Sequence, residues 1–157
     1  MSLTLKELSK NLTLIDTTDV LSCWHWLTGD TNEVHTISVL GDIFLIGKDN
    51  GIYWLQADCG ELEKVADNRE QFHQFLLDEE KFDEWFLPEL VQKLVDAGKI
   101  LNESQVYSYK KIPVIGGEYS IENIEPTDVS IHFAFCGQIC EQIKDLPDGT
   151  DVNIVIK

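Results

Sequence analysis

Closely spaced turn signals between residues 35 and 66 constrain the fold of this chain most strongly. Asp49-Asn50-Gly51 and Asp58-Cys59-Gly60 interrupt runs of β-branched, aromatic and aliphatic residues. Asn-Gly and Gly supply the positive φ angles that tight hairpin turns require. Strands joined by such short connections cannot form parallel crossovers, so the region predicts three or four antiparallel strands. Their expected bounds are near 35–40, 42–47, 52–57 and 61–66.

Helical spacing marks both sides of this predicted sheet. Leucines at 5, 8 and 12 predict a helix over 3–12, and a second is expected over 17–27, with Thr17 or Thr18 as its N-cap and Gly29 as its end. After the strands, Asn68 and Gln71 resemble a capping box. An apolar stripe at 72, 75 and 76 follows, and the next helix runs to about Ala97. Pro88 either starts a new helix or kinks the one containing Trp85.

The alternating segment 127–135 predicts a strand with one buried face. Val129, Ile131, Phe133 and Phe135 would face the core, with His132 on the polar face. A helix from Gly137 to Leu146, a turn at 148–149 and a final strand at 152–156 complete the pattern.

These elements predict an α+β fold, a mainly antiparallel sheet with helices packed on it. No repeat, low-complexity stretch or Pro/Gly-rich linker divides the 157 residues, so a single domain over 1–157 is expected. Its N-terminal helices and β-meander would occupy about 1–104, followed by a C-terminal segment of about 105–157.

The formal charge is −16, from 28 acidic and 12 basic residues. Arg69 is the single arginine, and Lys110-Lys111 is the single adjacent basic pair. Nucleic-acid affinity rests on clustered Lys and Arg, and anionic membranes repel such a surface. The composition therefore argues against both partners, and a basic protein is the partner that so negative a surface would attract. That the acidity confers only solubility is the alternative left open.

Two acidic stretches are candidate partner-binding sites. The first comprises Asp78, Glu79, Glu80, Asp83 and Glu84, and the second comprises Glu118, Glu122, Glu125 and Asp128. Acidic residues are also stabilising in the first turn of a helix, where they interact with the helix dipole. The first stretch can therefore be a solvated helix start instead.

No catalytic, metal or cofactor pattern is found in the sequence, so we expect a non-enzyme without a cofactor. Cys136 and Cys140, with His132 nearby, lack the second ligand pair that zinc sites usually have. Neither a nucleotide loop nor a nucleophile motif is present. The four cysteines read as reduced thiols of a cytoplasmic protein. There is no signal-peptide pattern and no apolar run of membrane-spanning length. For the four tryptophans, core packing is the default expectation.

The last third of the chain carries a family resemblance. Its motifs are Gly-Gly-Glu-Tyr at 116–119, Asn-Ile-Glu at 123–125, Gly-Gln-Ile at 137–139 and Leu-Pro-Asp-Gly-Thr at 146–150. Together they resemble the C-terminal domain of immunity proteins that neutralise type VI secretion DNase effectors. Residues 40–62 and the pair Trp85-Phe86 look like the N-terminal part of the same family. The fold also looks similar to the SMI1/KNR4-like group.

The resemblance implies a cytoplasmic protein that binds and inhibits a nuclease toxin by covering its basic DNA-binding surface. A non-catalytic SMI1/KNR4-like regulatory or scaffolding module with an unrelated partner is the alternative. A metal-dependent hydrolase using the acidic groups is a second rival. The motif residues themselves read as architectural, so the expected interface is the nine acidic residues named above.

Overall fold

Tight turns fold residues 33–66 into a four-stranded antiparallel sheet in the order β1-β2-β3-β4, which confirms the predicted meander. The computed structural model describes residues 3–30 and 32–146. At the first of the predicted turns Asn50 adopts φ 65°, and at the second Gly60 adopts φ 71°. The strands are β1 (Glu33–Ile37), β2 (Ile43–Ile46), β3 (Ile52–Gln56) and β4 (Glu61–Ala66).

Both faces of this sheet are covered by helices. Along β2, Phe44 and Ile46 belong to one apolar cluster, whereas Ile43 and Leu45 belong to another, as the period of two in a strand requires. Helices α4 (Arg69–Phe75), α5 (Glu79–Phe86) and α6 (Pro88–Asp96) contribute to the first cluster. The N-terminal residues Val20, Leu21 and Trp24 and helix α7 (Val129–Ile143) contribute to the second, whereas Leu8 belongs to the first.

The N-terminal helices are shorter than predicted. Residues 3–12 form only α1 (Leu5–Leu8), and Ser9 then bridges to Ser38. The second expected helix is divided into α2 (Thr17–Leu21) and α3 (His25–Thr28) by a 3-10 turn. Its N-cap is Asp16, not Thr17 or Thr18, because the Asp16 carboxylate accepts hydrogen bonds from the N–H groups of residues 18 and 19.

Helix α4 begins at the N-cap that the sequence predicts. The Asn68 side chain accepts a hydrogen bond from the Gln71 N–H at 2.8 Å. Of the two possibilities for Pro88, the structure shows a new helix, because Pro88 is the first residue of α6. Leu87 joins α5 to α6 alone, in a left-handed conformation with φ 46° and ψ 58°.

The strand predicted at 127–135 is wrong over 129–135, because these residues form the first half of α7, and only 127 and 128 belong to a strand. Its apolar residues fit both periods, but Val129, His132, Phe133 and Cys136 are the ones buried, at helical spacing. Ile131 is 63% exposed, which a buried strand face would not allow. The helix starts at 129 because the Asp128 carboxylate accepts a hydrogen bond from the residue 130 N–H at 2.9 Å.

The neighbouring strands are β5 (Gln105–Tyr109) and β6 (Ile124–Asp128), which pair antiparallel as a second sheet. Helix α7 contacts both of these strands and the N-terminal helical region. The predicted turn at 148–149 and final strand at 152–156 lie outside the described residues.

His132 was predicted on a polar face and is instead 1% exposed. Its Nε2 lies 2.9 Å from the carbonyl oxygen of Gly41, and its Nδ1 lies 2.6 Å from the hydroxyl of Ser108. Since a carbonyl only accepts, Nε2 carries the proton and Nδ1 accepts from the hydroxyl. This neutral imidazole joins α7 to the β1–β2 turn and to β5.

We predict that Gly41→Ala destabilises the protein by at least about 2 kcal/mol more than Gly98→Ala. Both glycines have positive φ, 84° and 82°, so the backbone strain of the substitution is matched. A Cβ at 41 would lie 2.2 Å from His132 Nε2, whereas a Cβ at 98 meets nothing within 4 Å. Urea unfolding of the two variants measures the difference. Equal losses would show that His132 does not require this close approach.

Burial lowers the pKa of His132 from 6.5 to about 4. The unfolded chain therefore binds a proton more readily between these values, and stability present above pH 6.5 is lost as the pH falls towards 4. We predict that the stability advantage of the wild type over His132→Gln shrinks by about 3 kcal/mol across this range. Groups other than residue 132 titrate in both proteins and cancel. An advantage independent of pH, measured by urea unfolding at several pH values, would contradict the neutral assignment.

Candidate partner interface

All five residues of the first acidic stretch lie at exposed positions of α5 or its N-cap. The Asp78 carboxylate accepts hydrogen bonds from the N–H groups of Glu80 and Lys81, so it has a capping role. Glu79 and Glu80 occupy the first turn, where the helix dipole favours negative charge. Asp83 and Glu84 lie beyond that turn, so local helix stability does not account for them.

The second acidic stretch follows the loop after β5 and continues through β6. Glu118, Glu122, Glu125 and Asp128 are all exposed. Asp128 caps α7, as described above. The other three carboxylates make no hydrogen bond or ion pair with another described residue, so their charges face solvent.

Asn123 holds this loop in place, which explains why its motif reads as architectural. Its side-chain amide donates hydrogen bonds to the carbonyl oxygens of Lys111 and Glu118, at 2.9 Å and 2.8 Å. Its carbonyl oxygen accepts from the Lys111 N–H. Gly117 packs so closely on Lys111 that a Cβ would lie 1.7 Å from its carbonyl oxygen.

None of the nine predicted residues forms an ion pair within residues 3–30 and 32–146. The ion pairs found there join Lys64 to Asp49 and Arg69 to Glu33. No hydrogen bond or ion pair of this region joins the first acidic stretch to the second. The structure therefore presents both stretches as unneutralised negative charge, without linking them directly.

Leu77 is a surface feature that sequence reasoning missed. It is 87% exposed, in the turn between α4 and α5, immediately before Asp78. A single exposed apolar side chain is common on protein surfaces, so Leu77 by itself does not mark an interface. The exposure of Leu77 could have been predicted from the sequence, because residue 77 falls outside the apolar stripe of α4 and directly precedes a helix cap.

A groove of about 540 Å³ lies between α5 and α6, and no sequence pattern predicts it. Its apolar part comes from Leu3, Phe82 and Pro88, all half-buried. Two residues of the first acidic stretch, Glu79 and Asp83, also line it. The groove therefore places apolar surface directly beside predicted partner-binding charge.

The imidazole of His132 and the thiols of Cys136 and Cys140 are buried. Burial raises the pKa of Cys136 and raises that of Cys140 to about 12, so both thiols stay protonated and poorly nucleophilic at neutral pH. Cys136 Sγ lies 3.8 Å from His132 Nδ1, but that nitrogen accepts from Ser108. In the described part of the chain, no group of three or more His, Cys, Asp or Glu residues is arranged to hold a metal.

A second polar group contains the half-buried residues Asp42 and Asp58. Burial, with the nearby Asp58 charge, raises the pKa of Asp42 well above its ordinary value. Asp42 accepts hydrogen bonds from the Trp54 indole and the Ala57 N–H. Asp58 accepts one from the Tyr119 hydroxyl. These bonds tie the Gly-Gly-Glu-Tyr turn to the first sheet and indicate a structural role.

The tryptophans follow the expectation of core packing. Trp24, Trp54 and Trp85 are at most 8% exposed. Trp26 is half-buried and stacks on Trp24 with ring centroids 5.8 Å apart. None of these four side chains forms an exposed aromatic anchor.

Residues 66–140 match the family described as "T6SS immunity protein Tdi1, C-terminal". The resemblance to a type VI secretion immunity family is confirmed. The match runs from the end of β4 into α7 and contains all nine predicted interface residues. It begins earlier than the segment recognised from the sequence, 105–157, and overlaps it over 105–140.

A solved structure, "Crystal structure of Atu4351 from Agrobacterium tumefaciens", shares the fold with a TM-score of 0.56 at 18% identity. The alignment covers 78% of this chain and 62% of that chain, so this chain spans less than two thirds of its length. No curated protein matches the sequence. The SMI1/KNR4-like grouping stays a prediction. Within residues 3–30 and 32–146, no helix is long and apolar enough to cross a bilayer.

Proposed function

We propose that this chain is an immunity protein that binds and inhibits a cognate secreted DNase toxin in the cytoplasm. The family match over residues 66–140 carries the proposal. Immunity of this kind needs tight binding rather than turnover, so one molecule of this protein would inactivate one molecule of toxin. The burial of the histidine and thiols of α7 is consistent with a non-catalytic role.

Electrostatics supports a DNA-binding toxin as the partner. A DNase must present basic side chains to the phosphates of its substrate. A protein of charge −16 is attracted to the same surface. The nine exposed carboxylates, free of internal ion pairs in the described chain, can contact that surface. Inhibition would then follow from occlusion, because the bound protein and DNA compete for one basic region.

Solubility or helix stabilisation alone accounts less well for the positions of these acidic residues than partner binding does. Glu118, Glu122 and Glu125 are not required for helix capping, so their positions are free to serve a partner. Asp83 and Glu84 are likewise outside the capped turn of α5.

The test measures binding between the purified protein and the product of the neighbouring gene, at low and high salt. We expect a one-to-one complex whose association rate falls as salt screens the charges. Asp83→Lys combined with Glu84→Lys should slow association about tenfold or more at low salt and flatten its salt dependence. Both side chains are exposed, so folding should be retained.

The matched control is Glu63→Lys combined with Glu141→Lys. Both residues are exposed and outside the predicted interface, and the change in net charge is the same. If the control slows association less than the Asp83/Glu84 variant does, the difference is due to the position of the charges and not to net charge alone. Equal rates for the wild type and the Asp83/Glu84 variant would move the interface elsewhere. Absence of any complex would contradict the proposed function.

A further inference from the structure

The groove between α5 and α6 combines apolar surface with concentrated negative charge. Leu87 alone connects the two helices, and its N–H donates to the Asp83 carbonyl at 3.0 Å, which closes α5 before α6 starts. The half-buried Phe82 ring packs on Phe86, with centroids 5.2 Å apart. The remaining side of Phe82, together with Pro88, lines the groove. This apolar surface is therefore supported from beneath by the core.

The charged residues of the groove are exposed and predominantly acidic. Among the described residues that line it, Glu79, Asp83 and Glu89 are acidic and Lys93 alone is basic. The nearby Lys81 does not neutralise them, because its ammonium is placed over the Phe75 ring of α4, 4.8 Å from the centroid. None of the three carboxylates has an ion-pair partner in the described part of the chain. The groove thus keeps a net negative charge around its apolar centre.

We infer that this groove binds a basic, amphipathic segment of the toxin, inserting an apolar side chain between flanking lysines or arginines. The inference rests on the proposed function and names the part of the interface that would give it specificity. The apolar side chain would contact Phe82 and Pro88. The basic side chains would pair with Glu79, Asp83 and Glu89.

Size and charge favour this occupant over others. A volume of about 540 Å³ is that of a pocket holding a drug-sized group, which suits one or two side chains. The acids repel phosphates, so nucleotides and nucleic acid are poor occupants. Apolar anchors ringed by polar contacts carry most of the binding energy in interfaces, whereas charge alone mainly sets the association rate. The exposed acids would mainly raise the association rate, whereas the apolar part of the groove would lower the dissociation rate.

Two variants test the groove separately for charge and for shape. Asp83→Lys combined with Glu89→Lys reverses the charge on both helices, and Glu63→Lys combined with Glu141→Lys is again the matched control. Gln92→Trp obstructs the groove without changing net charge. Gln92 is half-buried, lines the groove and donates to the exposed Asp96 carboxylate, so its replacement removes a surface hydrogen bond and no buried apolar side chain.

The measurement is the Kd and dissociation rate with the product of the neighbouring gene, in 0.5 M salt to suppress long-range steering. Both groove variants should weaken Kd at least tenfold through faster dissociation, and the control should change it less than threefold. Wild-type binding unchanged by both groove variants would overturn the inference and leave the proposed function intact. Absence of wild-type binding would overturn both.

Size-exclusion chromatography with light scattering, on the protein alone, distinguishes a second copy as the occupant. The inference predicts the same mass for the wild type and for Gln92→Trp. A wild-type dimer that Gln92→Trp converts to monomer would overturn it, because the groove would then be a contact between copies of this chain.

Discussion

The buried neutral imidazole of His132 connects three parts of this fold. Helix α7 provides the ring, the β1–β2 turn provides the Gly41 carbonyl, and β5 provides the Ser108 hydroxyl. A protonated ring could not accept from Ser108 through Nδ1, so a polar core contact of this kind requires burial to keep the imidazole neutral. The glycine is equally constrained, because any side chain at 41 would occupy the position of the ring.

The placement of α7 determines the geometry of the second acidic stretch. β6 ends at Asp128, which is also the N-cap of α7, so strand and helix are joined without a loop. On the other side of α7, the Trp24 indole donates to the Phe133 carbonyl at 3.0 Å. Gly137 lies so close to Cys23 that a Cβ would be 2.6 Å from its carbonyl oxygen. Glu125 and Asp128 are therefore presented by a strand that runs directly into a well-packed helix, whereas Glu118 and Glu122 lie in the loop before β6.

The first acidic stretch depends on the opposite face of the sheet. Trp85 and Phe86 of α5 pack on Phe44, with ring centroids 5.5 and 5.6 Å apart. Burying these two rings turns Asp83 and Glu84 outward on the same helix. The core thus fixes which carboxylates are available to a partner, and the family match covers both surfaces.

Turn residues in the sequence were sufficient to predict the β1–β4 meander. The structure of residues 129–135 and the α5–α6 groove depends on contacts between residues far apart in the sequence. The turns at Asn50 and Gly60 require positive φ angles, and Asn and Gly are the residues that adopt such angles most readily. Residues 129–135 fit a strand and a helix equally well, and only packing against Gly41 and Ser108 decides between them. The exposure of the acids could be predicted because charge stays in water. The α5–α6 groove could not, since it arises from the angle between helices that a single left-handed Leu87 sets.

Competition between this protein and DNA tests the central claim of occlusion most directly. The measurement would follow fluorescent duplex DNA bound to a catalytically inactive form of the neighbouring gene's product, while this protein is titrated in. The account predicts complete release of DNA at one equivalent of protein, with an apparent Kd that rises in proportion to DNA concentration. A stable ternary complex that retains the DNA would contradict it and place the binding surface away from the toxin's DNA-binding region.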